Sequence, residues 1–265
     1  MIDSELQQEL RKRFNPDGSV LRKHQLVMLD LLKYFDKICS EHNITYWLSS
    51  GTCLGAVRHG GFIPWDDDLD VEMLREDYLK LEKVFQETDL YVLQTSKNDP
   101  YYVVPYAKLR NKRSEISEHG QDLKYKYQGI YIDIFVLERC PNTITRIYNR
   151  LAWELLLWGS RSSSRFSTSM FFVGKFLLYK FIPITRFLFG KLKGNQLRHT
   201  YGSGFNWNFR KEEWLFPLRK ITFEGCEFPI PGDYDSYLRK MYNDYMRLPN
   251  LDAIRPHTTK VKIFD

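Results

Sequence analysis

The sequence predicts an α+β fold: a mixed β-sheet core flanked by helices, with a basic helical insertion. Three observations point there. Strand-like and helix-like periodicities interleave over the first 140 residues. The run GIYIDIFVL at 129–137 is apolar, β-branched and aromatic, the composition of a buried strand. Residues 141–200 hold ten lysines and arginines against one acid, Glu154, among large apolar side chains at helical spacing, a net +9 in a chain of net +6.

The elements follow in order. Residues 3–14 read as a short helix, and Asn15-Pro16-Asp17-Gly18 as a turn. Over 20–42, Leu21, Met28, Leu31, Leu32, Phe35 and Ile38 recur at the period of an amphipathic core helix. Residues 45–49 read as a strand, 52–58 as a helical turn, 69–73 as a strand, 75–88 as a helix, and 91–95 and 103–110 as strands. Strands at 114–118 and 131–137 are expected to complete the sheet. Helices at 142–160 and 170–192 flank a serine-rich link, 160–169. A hairpin over 221–230 and a helix over 233–246 end the chain. Three units are expected: a catalytic core at 1–140, the basic aromatic helical segment at 141–200, and a C-terminal segment at 201–265 that completes the substrate site.

Chemistry concentrates between Gly51 and Val71, GTCLGAVRHGGFIPWDDDLDV. It ends in four aspartates within five positions: Asp66, Asp67, Asp68 and Asp70. Clustered carboxylates repel one another and lose hydration on burial, so a folded domain retains them for a cation or a catalytic proton. Alternation along a strand puts Asp68 and Asp70 on one face, about 7 Å apart, with Leu69 and Val71 on the other. Oxygen-only ligation suits Mg²⁺ or Mn²⁺ rather than zinc. A bare Asp-x-Asp also fits a solvated acidic turn.

Asp133 tips that balance. It lies in the middle of the apolar 129–137 run, where a carboxylate needs a cation or hydrogen bonds, and a neighbouring arginine would serve as well as a metal. Gly51 and Thr52 can bring backbone N–H groups, a hydroxyl and a helix N-terminus to a phosphate, or can form a plain helix cap. Arg58 can clamp a phosphate in bidentate fashion or pair with Asp66 or Asp67. Lys108 and Arg110 alternate onto one strand face and reach the same anion if their strand neighbours the aspartate strand; pairing with surface acids is the other reading.

These residues carry a resemblance. YWLSSGTCLGAVRH at 46–59 followed by FIPWDDDLD at 62–70 resembles the LicD family, bacterial phosphorylcholine transferases that share this signature with fukutin and fukutin-related protein. The core match spans roughly residues 20–140, and FEG at 223–225, IPGDYDSYL at 230–238, DYMRLP at 244–249 and RPH at 255–257 extend it. The resemblance implies a nucleotidyltransferase-like fold. It implies Mg²⁺ or Mn²⁺, as two ions, on Asp66, Asp68, Asp70 and Asp133, with Asp68, Asp70 and Asp133 catalytic. Gly51, Thr52, Arg58, Trp65, Lys108, Arg110 and His257 would bind substrate. The implied donor is CDP-choline or a related CDP-alcohol, and the acceptor a lipid-linked or cell-wall glycan. A quaternary ammonium is held by aromatic faces, for which Tyr46, Trp47, Trp65, Trp207, Phe209 and Trp214 are candidates.

Composition bounds the rest. A content of 43% hydrophobic and 15% aromatic residues excludes a disordered chain. The charged start MIDSELQQELRKRF offers no apolar signal segment, which gives the expectation of a cytoplasmic protein, free or peripheral at the inner face of the cell membrane. Cys39, Cys53, Cys140 and Cys226 form no CxxC pair and are expected reduced, and the six histidines lack zinc spacing. In the basic segment Lys175, Lys180 and Pro183 interrupt the apolar run too early for a membrane span of about 20 residues. It fits either a helix lying in a membrane interface or core helices with snorkelling basic ends. No recognised nucleic-acid motif accompanies it, so no nucleic-acid partner is expected.

Overall fold

The computed structural model describes residues 2–118, 124–161, 163–189, 196–203, 209–254 and 258–264. Two helices open the chain, α1 (Ser4–Phe14) and α2 (Val20–Glu41), followed by β1 (Trp47–Leu48), α3 (Ser50–His59), β2 (Asp70–Leu74) and α4 (Arg75–Val84). Next come β3 (Tyr91–Gln94), β4 (Ala107–Asn111), β5 (Ser114–Glu118) and β6 (Tyr131–Arg139). The basic segment forms α5 (Asn142–Arg161) and α6 (Arg165–Phe189). The C-terminal part adds β7 (Gln196–His199), β8 (Arg210–Lys211), α7 (Glu212–Leu215), β9 (Arg219–Phe223), β10 (Cys226–Ile230), α8 (Tyr234–Tyr242) and β11 (Thr258–Ile263). The chain is therefore α+β, as its periodicities predict.

The main sheet runs β1-β2-β6-β4-β3, with β7 beside the end of β6 and β8 beside β7. Among the described residues only β2 and β6 pair in parallel; β1 on β2, β4 on β6 and β3 on β4 are antiparallel. β6 is central because its run of apolar residues can be buried on both faces: Tyr131 through Leu137 are all buried. On one face α2 packs against β4 and β6. Its Met28, Leu31, Leu32 and Phe35 share a core with Leu109, Ile132 and Ile134. Alternation then turns Lys108, Asp133 and Asp70 to the opposite face.

Several boundaries differ from the sequence expectation. Residues 114–118 do form a strand, but it pairs with β11 in a separate two-stranded sheet rather than completing the main one. The serine-rich link is short, because α6 begins at Arg165: the Ser164 hydroxyl accepts from the Ser167 N–H at 3.1 Å and its carbonyl from the Thr168 N–H, which starts the helix early. α8 stops at Tyr242, where Asn243 turns to a positive φ of 57°.

Gly129 marks the entry to β6. A Cβ there would lie 1.7 Å from the Asn111 carbonyl oxygen, and its own carbonyl accepts from Arg110 Nη1 at 2.6 Å. Gly129→Ala is expected to destabilise the protein by about 1–3 kcal/mol, since backbone must move to admit one methyl group. Urea denaturation of the two proteins measures it.

Candidate active site

The parallel register of β2 and β6 sets Asp70 directly beside Asp133, and the β4–β6 register sets Lys108 beside Asp133 on the other flank. An acid, an acid and a base thus lie in one row across three strands. Lys108 Nζ is 2.8 Å from Asp133 Oδ1 and 3.0 Å from Oδ2, and lies 3.3 Å from the Tyr131 ring centroid. Both partners are buried, so the ammonium neutralises Asp133 with little competition from water.

The chain reaches Asp70 through residues 66–69, which belong to no helix or strand. β2 starts at Asp70, one residue later than the pattern suggests, because the Asp70 N–H donates to Thr52 Oγ1 at 2.8 Å instead of to a neighbouring strand. The Leu69 carbonyl accepts from the Asp133 N–H at 2.9 Å and locks the two segments together. Asp66, Asp68 and Asp70 keep part of their surface open, while Asp67 is buried. Lost hydration, Asp68 as neighbour and hydrogen-bond partner, Asp70 and Asp67 push the Asp66 pKa well above the carboxylate range. Lost hydration, then Asp68 and Asp133, raise Asp70 likewise, with Lys108 opposing. The four side chains are electrostatically one unit.

Gly51 and Thr52 sit in the first turn of α3, against these acids. A Cβ on Gly51 would lie 3.0 Å from Asp66 Oδ2, so the glycine permits the close approach of helix and acid. The Thr52 hydroxyl accepts the Asp70 N–H, which gives it a positioning task; the N-cap of α3 is Ser49. The loop before the acids is held from two sides. Gln25 Nε2 donates to the Asp66 carbonyl at 2.9 Å. Glu224, in the turn between β9 and β10, accepts from the Phe62 N–H at 3.1 Å and pairs with Arg22 at 2.7 Å and Arg11 at 3.0 Å.

The other expected substrate residues fall in different places. Arg58 is buried and donates to His59 Nε2 at 2.9 Å, the Tyr245 carbonyl at 2.7 Å and the Arg247 carbonyl at 3.3 Å, so these contacts tie α3 to the C-terminal segment. Arg110 is buried against the Tyr131 ring, with Gln94 and the Gly129 carbonyl as its hydrogen-bond partners, one strand removed from β2. Trp65 packs edge-on against Phe14 and His59. His257, Arg255 and Trp207 lie outside the described residues. Of the remaining aromatic candidates, Tyr46 and Trp47 are core side chains bonded to Asp36 and Glu72. Phe209 and Trp214 stack with centroids 5.8 Å apart, and Lys240 lies 4.8 Å from the Phe209 centroid.

A second acid was missed by sequence reasoning. Glu72, two residues past Asp70 on the same face, is wholly buried. It accepts from Arg210 Nη2 at 2.7 Å, Trp47 Nε1 at 3.0 Å and the Tyr237 hydroxyl at 3.2 Å, and His199 Nε2 lies 3.6 Å away. Burial alone would raise Glu72, but Arg210, His199 and the Arg210 and Trp47 hydrogen bonds together hold it below its ordinary pKa. Burial keeps His199 neutral, at about 4. The Tyr237 hydroxyl also meets Ser49 Oγ at 3.1 Å and the Ser50 N–H at 3.2 Å, so this network fixes the start of α3 from below. Burial, Tyr237 and then Asp70, Asp66 and Asp68 raise the pKa of Tyr242, a further residue that sequence reasoning missed. A glutamate inside the alternating strand DVEML was the available signal for Glu72.

The fit of a divalent cation can be judged from these contacts. Among the described residues no three acidic, histidine or cysteine side chains form a ready-made metal cage. The donor chemistry nevertheless matches a hard cation: oxygen ligands only, with repulsion that a proton relieves between Asp66 and Asp68 and that a dication would relieve in its place.

Comparison with known proteins now adds a lineage. A profile described as the LicD/FKTN/FKRP nucleotidyltransferase domain matches residues 43–172. The lipopolysaccharide cholinephosphotransferase LicD of Haemophilus influenzae is 32% identical over 265 aligned positions, covering 89% of this chain and 95% of that protein. The chain belongs to the LicD family. Its mammalian relatives match only locally: mouse ribitol-5-phosphate transferase FKTN is 37% identical over 28% of this chain and 16% of its own length. Human ribitol 5-phosphate transferase FKRP is 38% identical over 20% of this chain and 10% of its own. Membership makes this protein a phosphotransferase of the phosphoalcohol type.

Two outcomes test the electrostatics of this LicD-family site. Asp66→Asn removes a repelling carboxylate and is expected to raise the thermal midpoint by about 2–4 °C at pH 8 in chelator, and by less with Mg²⁺ present; calorimetry reads both. Glu72→Gln leaves the Arg210 charge buried without its counter-ion and is expected to cost about 3–5 kcal/mol in chemical denaturation, whatever the metal.

Proposed function

We propose that this protein transfers phosphocholine from CDP-choline to a hydroxyl of a cell-surface glycan precursor, of the lipopolysaccharide, teichoic acid or capsule type, with Mg²⁺ or Mn²⁺ as cofactor. The observation that carries the reading is the β2–β6 register, which sets Asp70 beside Asp133, on a chain aligned over 89% of its length with a lipopolysaccharide cholinephosphotransferase. In the reaction the acceptor oxygen bonds to the phosphorus that bears choline, the diphosphate P–O bond breaks, CMP leaves and the hydroxyl proton goes to a base.

The parts have distinct tasks in this reading. Asp66, Asp68 and Asp70, with Asp133, would hold one or two cations, and a bound cation neutralises the phosphoryl oxygens as charge shifts to the leaving group. Asp133, its charge balanced by Lys108, would accept the acceptor's proton or share the metal. The first turn of α3, opened by Gly51, favours an anion beside the acids.

A second reading moves ribitol phosphate or glycerol phosphate from its CDP form; the local matches to FKTN and FKRP favour it. A third, an inactive scaffold, is opposed by the complete acid set. Incubation with CDP-choline, CDP-ribitol or CDP-glycerol and a purified envelope glycan, followed by CMP release, separates them. CMP is expected from CDP-choline, to stop with EDTA, and to fall at least about a thousandfold in Asp68→Asn and Asp70→Asn, which lose metal charge at constant volume. Release from CDP-ribitol alone would establish the second reading, and release from none the third.

A further inference from the structure

The outward faces of α5 and α6 are apolar. On α6, Phe166, Met170, Val173, Leu177, Ile184 and Leu188 are all exposed, and their spacing of 4, 7, 11, 18 and 22 residues from the first puts them on one helical stripe. On α5, Ile147, Leu151 and Trp158 repeat the pattern. The helices lie antiparallel and close: a Cβ on Gly159 would strike the Phe171 ring at 2.4 Å, and one on Gly174 would strike Leu155 at 2.7 Å. The two stripes therefore adjoin, a contiguous apolar surface of the kind that soluble proteins cover with a partner.

The inward side of the same hairpin is firmly fixed. Lys175 Nζ donates to the carbonyls of Pro100 at 2.7 Å, Ser96 at 3.2 Å and Asp99 at 3.3 Å. Tyr179 donates to the Val103 carbonyl, Phe171 stacks on Tyr101, and Arg186 takes Glu138 in a two-pronged pair at 2.7 and 2.9 Å. Glu138 lies five residues along β6 from Asp133, about 16 Å of strand. Whatever the outward face meets is thereby held at a set distance from the acids.

Charge selects the partner. Arg150, Arg161, Arg165 and Lys180 border the stripes and are exposed, and Glu154 is the single acid of α5 and α6. A second copy of the same face would bring like charges together, whereas an anionic surface with an apolar interior matches both properties. No described helix is long and apolar enough to cross a membrane. We infer that the α5–α6 hairpin docks flat on a bilayer containing anionic lipid, with the apolar stripes of both helices below the headgroups and the bordering arginines among them. The outward side of the basic segment is thus the membrane-facing surface, and the core-helix reading applies only to its inward side.

Flotation of the full-length chain with vesicles tests this without any donor, so its failure is distinct from failure of the transferase reading. Phosphatidylglycerol/phosphatidylethanolamine vesicles are expected to carry the protein, with binding at least about tenfold weaker to phosphatidylcholine alone. The triple change Phe166→Asp, Leu177→Asp and Leu188→Asp alters exposed side chains of the α6 stripe, should leave circular dichroism unchanged, and should reduce binding at least about tenfold. The triple change Arg150→Glu, Arg161→Glu and Arg165→Glu should remove the preference for anionic lipid. Wild-type protein that stays out of the anionic vesicle fraction overturns the inference. So does a dimer in light scattering that the stripe variant dissolves.

Discussion

Repulsion among Asp66, Asp68, Asp70 and Asp133 is the constraint that shapes the rest of this molecule. Four carboxylates cannot share a poorly hydrated site at neutral pH without protons, an ammonium or a metal. The fold supplies two of these itself. Lys108 sits on Asp133 across one strand pair, and Asp66 and Asp68 share a hydrogen bond. The remaining strain is electrostatic, and a dication with a phosphate bound to it is the natural way to relieve it.

Much of the surrounding architecture holds the acids together against that repulsion. Thr52 fixes the backbone at Asp70, Leu69 and Asp133 are joined main chain to main chain, and Gln25 grips the carbonyl of Asp66. Glu224 reaches from a turn more than 150 residues away to hold the glycine-rich loop before them. Below α3, the buried Glu72–Arg210 pair and Tyr237 give the helix a polar foundation. Such a network is costly to desolvate, but its Tyr237 hydroxyl holds the start of that helix.

The acid row was legible in the sequence because its signals are local. An aspartate inside an apolar run, and aspartates two apart before another, need no knowledge of partners. The α5–α6 segment was legible for the same reason, since its charge and apolar period lie within one stretch. What escaped depends on distant residues. Arg58 and Arg110 look like anion clamps in the linear chain, yet backbone carbonyls and a glutamine take their donors, and nothing local distinguishes a carbonyl from a phosphate. β5 left the main sheet because its partner, β11, arrives 140 residues later. Glu72 carried a mark like that of Asp133, an acid between the apolar residues Val71 and Met73 of a strand, but its counter-ion on β8 is 138 residues downstream.

Electron paramagnetic resonance of Mn²⁺ titrated into the apo protein, alongside Asp70→Asn and Asp133→Asn, examines the acid row itself. Saturable Mn²⁺ binding to wild type that weakens at least about tenfold in each variant is the expected result. Binding of equal strength in all three proteins, or none in the wild type with CDP-choline present, would contradict the reading of these aspartates as metal ligands.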